Sequence, residues 1–178
     1  MTPATPRYRA TRVGGCLAAL VEPRADGSTW LRSTEALQPY PPRLSDRLEH
    51  WAREAPQRSF AARRGPGGDW VHIGYAQMLA RARAVGQALA ARGLAAERPV
   101  AVLSGNDLEH LSLYLGAMWV GVPVVPVSPA YSLVSQDYGR LRHALASTTP
   151  GLVYAADAAW APAIAATVGA DVEVVLGS

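Results

Sequence analysis

Four short aliphatic runs constrain this chain more than any other feature. Val100–Leu103, Val122–Val127, Leu152–Ala155 and Val172–Leu176 set Val, Leu and Ala side by side instead of alternating them with polar residues. A strand wetted on one face alternates, whereas a strand covered on both faces reads as a nearly continuous apolar run. Segments with helical spacing lie between them: Leu108–Val120, about residues 135–145, and Ala158–Val168. Strand, helix, strand repeated to Leu176 predicts an α/β fold, an incomplete doubly wound parallel sheet with flanking helices and right-handed crossovers.

Upstream, the pattern changes. The first forty residues hold no sustained period and end in Pro39-Tyr40-Pro41-Pro42, so residues 1–42 read as an irregular, extended lead. Ser45 is the expected N-cap of a helix carrying Leu48, Trp51, Ala52 and Ala55 on one face, closed by Pro56. Ser59–Arg63 and Trp70–Ile73 flank Gly65-Pro66-Gly67-Gly68, the signature of a short hairpin. Tyr75, Met78, Leu79, Ala82, Val85, Gly86 and Leu89 then form one continuous helical stripe. Gly93 stands at the left-handed position beyond the last turn, with Leu94 as its apolar follower. A stripe of this kind is core packing, and neither Met78 nor Tyr75 is assigned a ligand.

Composition decides what chemistry is open. All 17 basic residues are Arg, so a lysine-bearing phosphate loop, a Schiff-base lysine and a lysine-dependent adenylation step are excluded within these 178 residues. Apolar residues at 49% and charged residues at 17% exclude wholesale disorder. The net charge of +3 is spread over isolated arginines, with no aromatic-basic interleaving, so no nucleic-acid partner is expected. The longest apolar run, Leu111–Val127, is broken by Gly121 and Pro123 and falls short of the roughly 20 residues a membrane helix needs. Arg7, Arg9 and Arg12 precede Cys16–Val21, too short for an export signal, and no hydrophobic segment precedes the lipidation-like Val13-Gly14-Gly15-Cys16. The lone Cys16 allows no internal disulfide or cysteine metal cluster, and the expected compartment is the cytoplasm.

The motif search returns no catalytic, cofactor-binding or metal-binding residue. Gly65–Gly68 lies in a hairpin and is not a dinucleotide fingerprint, and no nucleophile elbow or zinc-binding His-Glu-x-x-His occurs. His50, His72, His110 and His143 are far apart in sequence and are read as structural. Two loops sit where open α/β sheets place ligands, after a strand and before a helix: Ser104-Gly105-Asn106-Asp107 and Ser128-Pro129-Ala130-Tyr131-Ser132. The first reads as a tight turn with its own cap, and Tyr131 in the second as packed on the sheet edge.

Taken in order, these features resemble the opening of AMP-forming acyl-CoA synthetases. Arg43-Leu44-Ser45-Asp46-Arg47-Leu48 with Trp51 and Ala55-Pro56 is similar to their first helix. Trp70–Gly93, Arg98–Asn106, Gly116–Met118, Gly121–Pro123 and Pro126–Ser132 continue the likeness. Leu133–Tyr138, Leu141–His143 and Thr149–Val153 resemble feruloyl-CoA synthetases in particular.

The resemblance implies residues 43–178 as the first part of the synthetase large domain, truncated before the phosphate loop. It also implies an enzyme that joins a hydroxycinnamic acid to ATP with Mg2+, then passes the acyl group to coenzyme A. The family's phosphate loop, acyl pocket and catalytic lysine come later than the stretch present, so the chain alone is expected to hold no ATP, Mg2+ or coenzyme A and to be inactive. A complementing C-terminal chain is the expected partner. The competing readings are a non-catalytic interaction module using an exposed apolar face, and a free-standing nucleotide binder. If ~400 Å² of apolar sheet is bare at the last strand, the forgone burial is on the order of 10 kcal/mol, comparable to a whole domain's stability. The chain is therefore expected to associate unless that face is covered.

Overall fold

In the computed structural model, which describes Cys16 and residues 18–177, the first turn is set by Asp26 and Gly27. Gly27 sits at φ +83°, and the Asp26 carboxylate accepts from the Ser28 amide (2.9 Å) and hydroxyl (2.7 Å). These bonds hold the Asp26 carboxyl below its ordinary pKa. The turn joins β1 (Ala19–Pro23) and β2 (Thr29–Ser33) as an antiparallel pair, exposed along its whole length. The Arg24 guanidinium lies 4.0 Å from the Trp30 ring centroid.

The stretch read as an extended lead therefore contains a hairpin. Its strands carry too few apolar residues to show a period, and the Asp-Gly turn was the available signal. The basic residues Arg7, Arg9 and Arg12, and Val13–Gly15, lie outside the described residues. The hairpin belongs to one structural unit, residues 1–40, and the rest of the chain, 41–178, forms the other.

In the second unit, α1 (Ser45–Glu54) buries Leu48 and Ala52, while Trp51 is half-exposed against Tyr75. Leu44, not Ser45, occupies the cap position; Ser45 is the first helical residue and is buried. Asp46 in the first turn pairs instead with Arg43 (2.8 Å). The β3 (Ser59–Arg64) and β4 (Trp70–Gly74) hairpin follows, turning at Gly68 (φ +87°) and seating Ile73 against Leu48, Met78 and Leu108.

Helix α2 (Tyr75–Ala91) buries Met78, Ala82, Gly86 and Leu89, the centre of the stripe seen in the sequence. It ends as expected: Gly93 takes φ +64°, its amide bonds the Ala90 carbonyl, and the Leu94 amide reaches back to Leu89. Helix α3 (Leu108–Trp119) crosses α2 at two glycines. A Cβ on Gly86 would stand 2.9 Å from the Gly116 carbonyl oxygen, and one on Gly116 would stand 2.6 Å from Val85 Cγ1. Only hydrogen at both positions lets the two backbones approach this closely.

The core is a four-stranded parallel sheet in the order β6-β5-β7-β8. Its strands are β5 (Val100–Leu103), β6 (Val124–Val127), β7 (Leu152–Ala155) and β8 (Glu173–Leu176). Register puts Val124, Val100, Leu152 and Glu173 in one cross-sheet row, with Val102, Tyr154 and Val175 in the next row on that face. Helices α2 and α3 cover this face, burying Val100, Val102, Leu113 and Ala117. The opposite face packs Ala101, Leu103, Val153 and Ala155 against α5 (Gly139–Thr148) and α6 (Ala161–Thr167).

Between β6 and α5 the path differs from the sequence expectation of a loop followed by a helix from Ser135. A short helix, α4 (Ala130–Leu133), comes first, and α5 starts only at Gly139. Local bonds delay it: Ser135 Oγ accepts from the Tyr138 amide (3.1 Å), and Asp137 accepts from the Gly139 amide (3.0 Å). Tyr138 is turned to φ +54°. Short polar side chains bonding nearby backbone compete with helix formation in this way.

Candidate functional site at the carboxyl edge of the sheet

The strand order creates a reversal. From β5 the chain crosses to β6 on one side, then returns past β5 to β7 on the other. Such a switch point opens a crevice outside the carboxyl ends of the two central strands, where open α/β sheets bind ligands. Here the Ser104–Asp107 loop follows β5 and the Ala156-Asp157 turn follows β7, side by side. The Ala156 amide donates to the Leu103 carbonyl (3.0 Å) and ties the two together.

In the first loop, buried Ser104 places Oγ 2.8 Å from His110 Nδ1, and both atoms lie near the Gly105 carbonyl oxygen, at 3.0 and 3.1 Å. Asp107 caps α3 by accepting from the His110 amide. Glu109 adds a second acid in the first turn. The positive end of α3 is thus already answered by carboxylates of its own chain, which opposes an incoming anion. The loop is a capped turn.

Tyr154 of β7 lies on the α2/α3 face of the sheet, beside Glu109 and Leu113 of α3 and Val175 and Gly177 at the end of β8. Its phenol is pushed above its ordinary pKa by partial burial and then by the charges of Asp107, Glu109 and Asp157. Gly177 closes against it: a Cβ there would fall 2.8 Å from the Tyr154 oxygen and would strike the Ala156 carbonyl. Sequence reading took His110 as structural and passed over Tyr154 and Asp157. A tyrosine inside an otherwise aliphatic run was the one local signal.

The second loop does not join this crevice. Tyr131 packs on the core beneath α5, with Arg140 5.5 Å from its ring centroid, and buried Ser132 Oγ has no hydrogen-bond partner. The histidines stay apart: His72 Nδ1 meets Ser59 Oγ across the hairpin (2.8 Å), and His50 packs edge-on to Trp51. Met78 and Tyr75 pack with Ile73 and Leu108. Among the described residues, no three His, Cys, Asp or Glu side chains are arranged to hold a metal ion, and no helix is long and apolar enough to cross a membrane.

Comparison with known proteins bears on this edge. A family described as AMP-binding enzyme matches residues 48–177. Among curated proteins, none matches the sequence significantly. Among solved structures, the chain is similar to a fatty acyl CoA synthetase of Mycobacterium tuberculosis, at 28% identity and TM-score 0.59, over 74% of this chain and 25% of that one. It is also similar to a fatty acyl-adenylate ligase from L. pneumophila solved with acyl adenylate and pyrophosphate, at 18% identity and TM-score 0.61, over 75% of this chain and 23% of that one. A third match, VinN, has 22% identity and TM-score 0.62, over 78% of this chain and 32% of that one. At such identities the last two show the fold alone. The chain spans between 23% and 32% of the length of these structures.

Proposed function

The chain belongs to the AMP-binding enzyme family, and from that premise we propose that it is the opening part of the large domain of an AMP-forming acid–thiol ligase. The observation that carries this reading is the family match over residues 48–177, which covers the whole parallel sheet. In the complete reaction a carboxylate oxygen attacks the α-phosphorus of ATP and pyrophosphate leaves. The thiol of coenzyme A then takes the acyl group and AMP leaves. The likeness of Leu133–Tyr138 and Thr149–Val153 to feruloyl-CoA synthetases supports a hydroxycinnamic acid as the substrate.

The residues present do not fit a nucleotide triphosphate. Asp107 and Glu109 stand at the start of α3 and Asp157 follows β7, so the carboxyl edge carries acids of its own, and the chain has no Lys to answer phosphate charge. No step is assigned to these side chains. Their part is to fix the carboxyl edge of the sheet, on which polypeptide supplied from elsewhere would complete the site. A complementing chain or a continuation of this one fills that role, and the expected compartment is the cytoplasm.

The test is ATP–pyrophosphate exchange with ferulate, cinnamate and fatty acids. It is run on the 178-residue chain and on a product extended by the coding sequence that follows it. We expect no acid-dependent exchange from the former and ferulate-dependent exchange from the latter. Turnover by the 178-residue chain, or an extended product silent with every acid, overturns the reading. Exchange with fatty acids alone would keep the ligase and discard the hydroxycinnamate.

A further inference from the structure

A second cavity lies at the opposite edge of the sheet. Before β5, β7 and β8, where α5 and α6 end, the fold leaves a space of about 670 Å³. Leu145, Val153 and Val172 supply the apolar part of its wall, and Arg98, Arg142, Thr149, Thr167 and Asp171 line the same space. We propose that this cavity binds a small organic monoanion, a carboxylate carried on an apolar body, as a site separate from the reacting edge.

Three observations assign that chemistry. First, one guanidinium is held in place and the other is given room. Arg142 donates to the carbonyl of Ala166 in α6, and Arg98 Nε lies only 2.8 Å from where a Cβ on Gly151 would stand. Glycine at 151 makes room for the arginine to lie along the cavity wall. Second, donors are left over. Among the described residues the Arg98 side chain has no ion pair or hydrogen-bond partner, and neither has the hydroxyl of Thr149, which also lines the space. Third, the charge is defined. Asp171 is the one acid among the described residues that line the cavity, so two guanidiniums and one carboxylate leave a single net positive charge.

A planar carboxylate matches the guanidinium fork, and the aliphatic wall takes the body behind it. An ammonium would meet a wall of net positive charge, and an alcohol would leave that charge unanswered. The cavity holds no paired nucleophile and base, and ligands in α/β sheets react at the other edge. Binding here is therefore recognition, not catalysis, and it stands independently of the ligase reading.

The experiment is a titration of the intact 178-residue chain with sodium hexanoate, followed by calorimetry and by amide NMR shifts. Hexanol and hexylammonium chloride serve as controls. We expect saturable binding of hexanoate alone, with shifts centred on Thr149, Gly151 and the start of β8. Arg98→Gln should weaken binding at least tenfold with the melting temperature unchanged. If that variant fails to fold, the shift map of the unaltered chain decides. No saturable hexanoate binding, equal binding of hexanol, or shifts centred away from this edge overturns the proposal.

Discussion

Strands β5 and β8, Val-Ala-Val-Leu and Glu-Val-Val-Leu, share their last two residues and have opposite surroundings. Every residue of β5 is 0% exposed, whereas Val174 and Leu176 of β8 are 38% and 51% exposed. The difference is position. β5 is paired on both sides, by β6 and β7, beneath α2 and α3 and against α5. β8 has one partner, and its outer edge faces none of the described strands. Local sequence makes both segments strands; the number of neighbours decides which one becomes core.

The largest effect should come from placing the same charge in both strands. Val102→Asp puts an unpaired carboxylate where no water reaches, at a cost of several kcal/mol against a total stability of about 5–15. We expect loss of the cooperative urea transition followed by circular dichroism. Val174→Asp, in the outer strand, should stay within about 1 kcal/mol of the parent. Equal damage from the two would mean that β8 is covered in solution, and the contrast would fail. The same pair of variants therefore reports whether copies of the chain associate through that strand.

A smaller effect should come from the roof over β5. Gly116→Ala gains about 1 kcal/mol of helix propensity in isolation. In the fold its methyl would meet Val85 Cγ1 at 2.6 Å and the Ala82 carbonyl at 2.9 Å, and backbone cannot step aside as a long side chain can. We expect a net loss of about 1–3 kcal/mol from overpacking. A neutral or stabilising result in urea denaturation would mean that α2 and α3 sit farther apart than described.

This contrast also marks how far the sequence was legible. The four strands, the α2 stripe and the Gly93-Leu94 ending were readable because their signals are local: apolar runs, a 3.6-residue period, a left-handed glycine. The late start of α5 was not, because Ser135 and Asp137 bond their neighbours' amides in place of extending the helix. The first hairpin was missed because its strands bury nothing, leaving the Asp26-Gly27 turn as its only mark. At the carboxyl edge, the Ser104–Asp107 loop was placed correctly after a strand and before a helix. Its companions Tyr154 and Asp157 were not, since only the order β6-β5-β7-β8 sets them beside it. That order is decided by crossovers between residues some fifty positions apart along the chain, and no local window contains it.

Tyr154 offers the finest test, because it sits on β7 between the sealed strand and the open one. Its register neighbours are Val102 of β5, fully buried, and Val175 of β8, half-buried. Burial raises its pKa first, and the charges of Asp107, Glu109 and Asp157 add to the shift. A raised folded-state pKa means that the folded chain holds its phenolic proton more tightly than the unfolded chain does. The resulting stability is complete below the ordinary tyrosine value of 10.0 and is lost as pH climbs through the higher folded value. The chain has no Lys, so no lysine ammonium titrates across that window to mask the loss. Urea midpoints measured from pH 8 to about 11 should therefore fall less steeply for Tyr154→Phe than for the parent, with the two curves close at neutral pH. Superimposable slopes would mean that solvent reaches the phenol freely, and that the shelter α2 and α3 give β5 does not extend to β7.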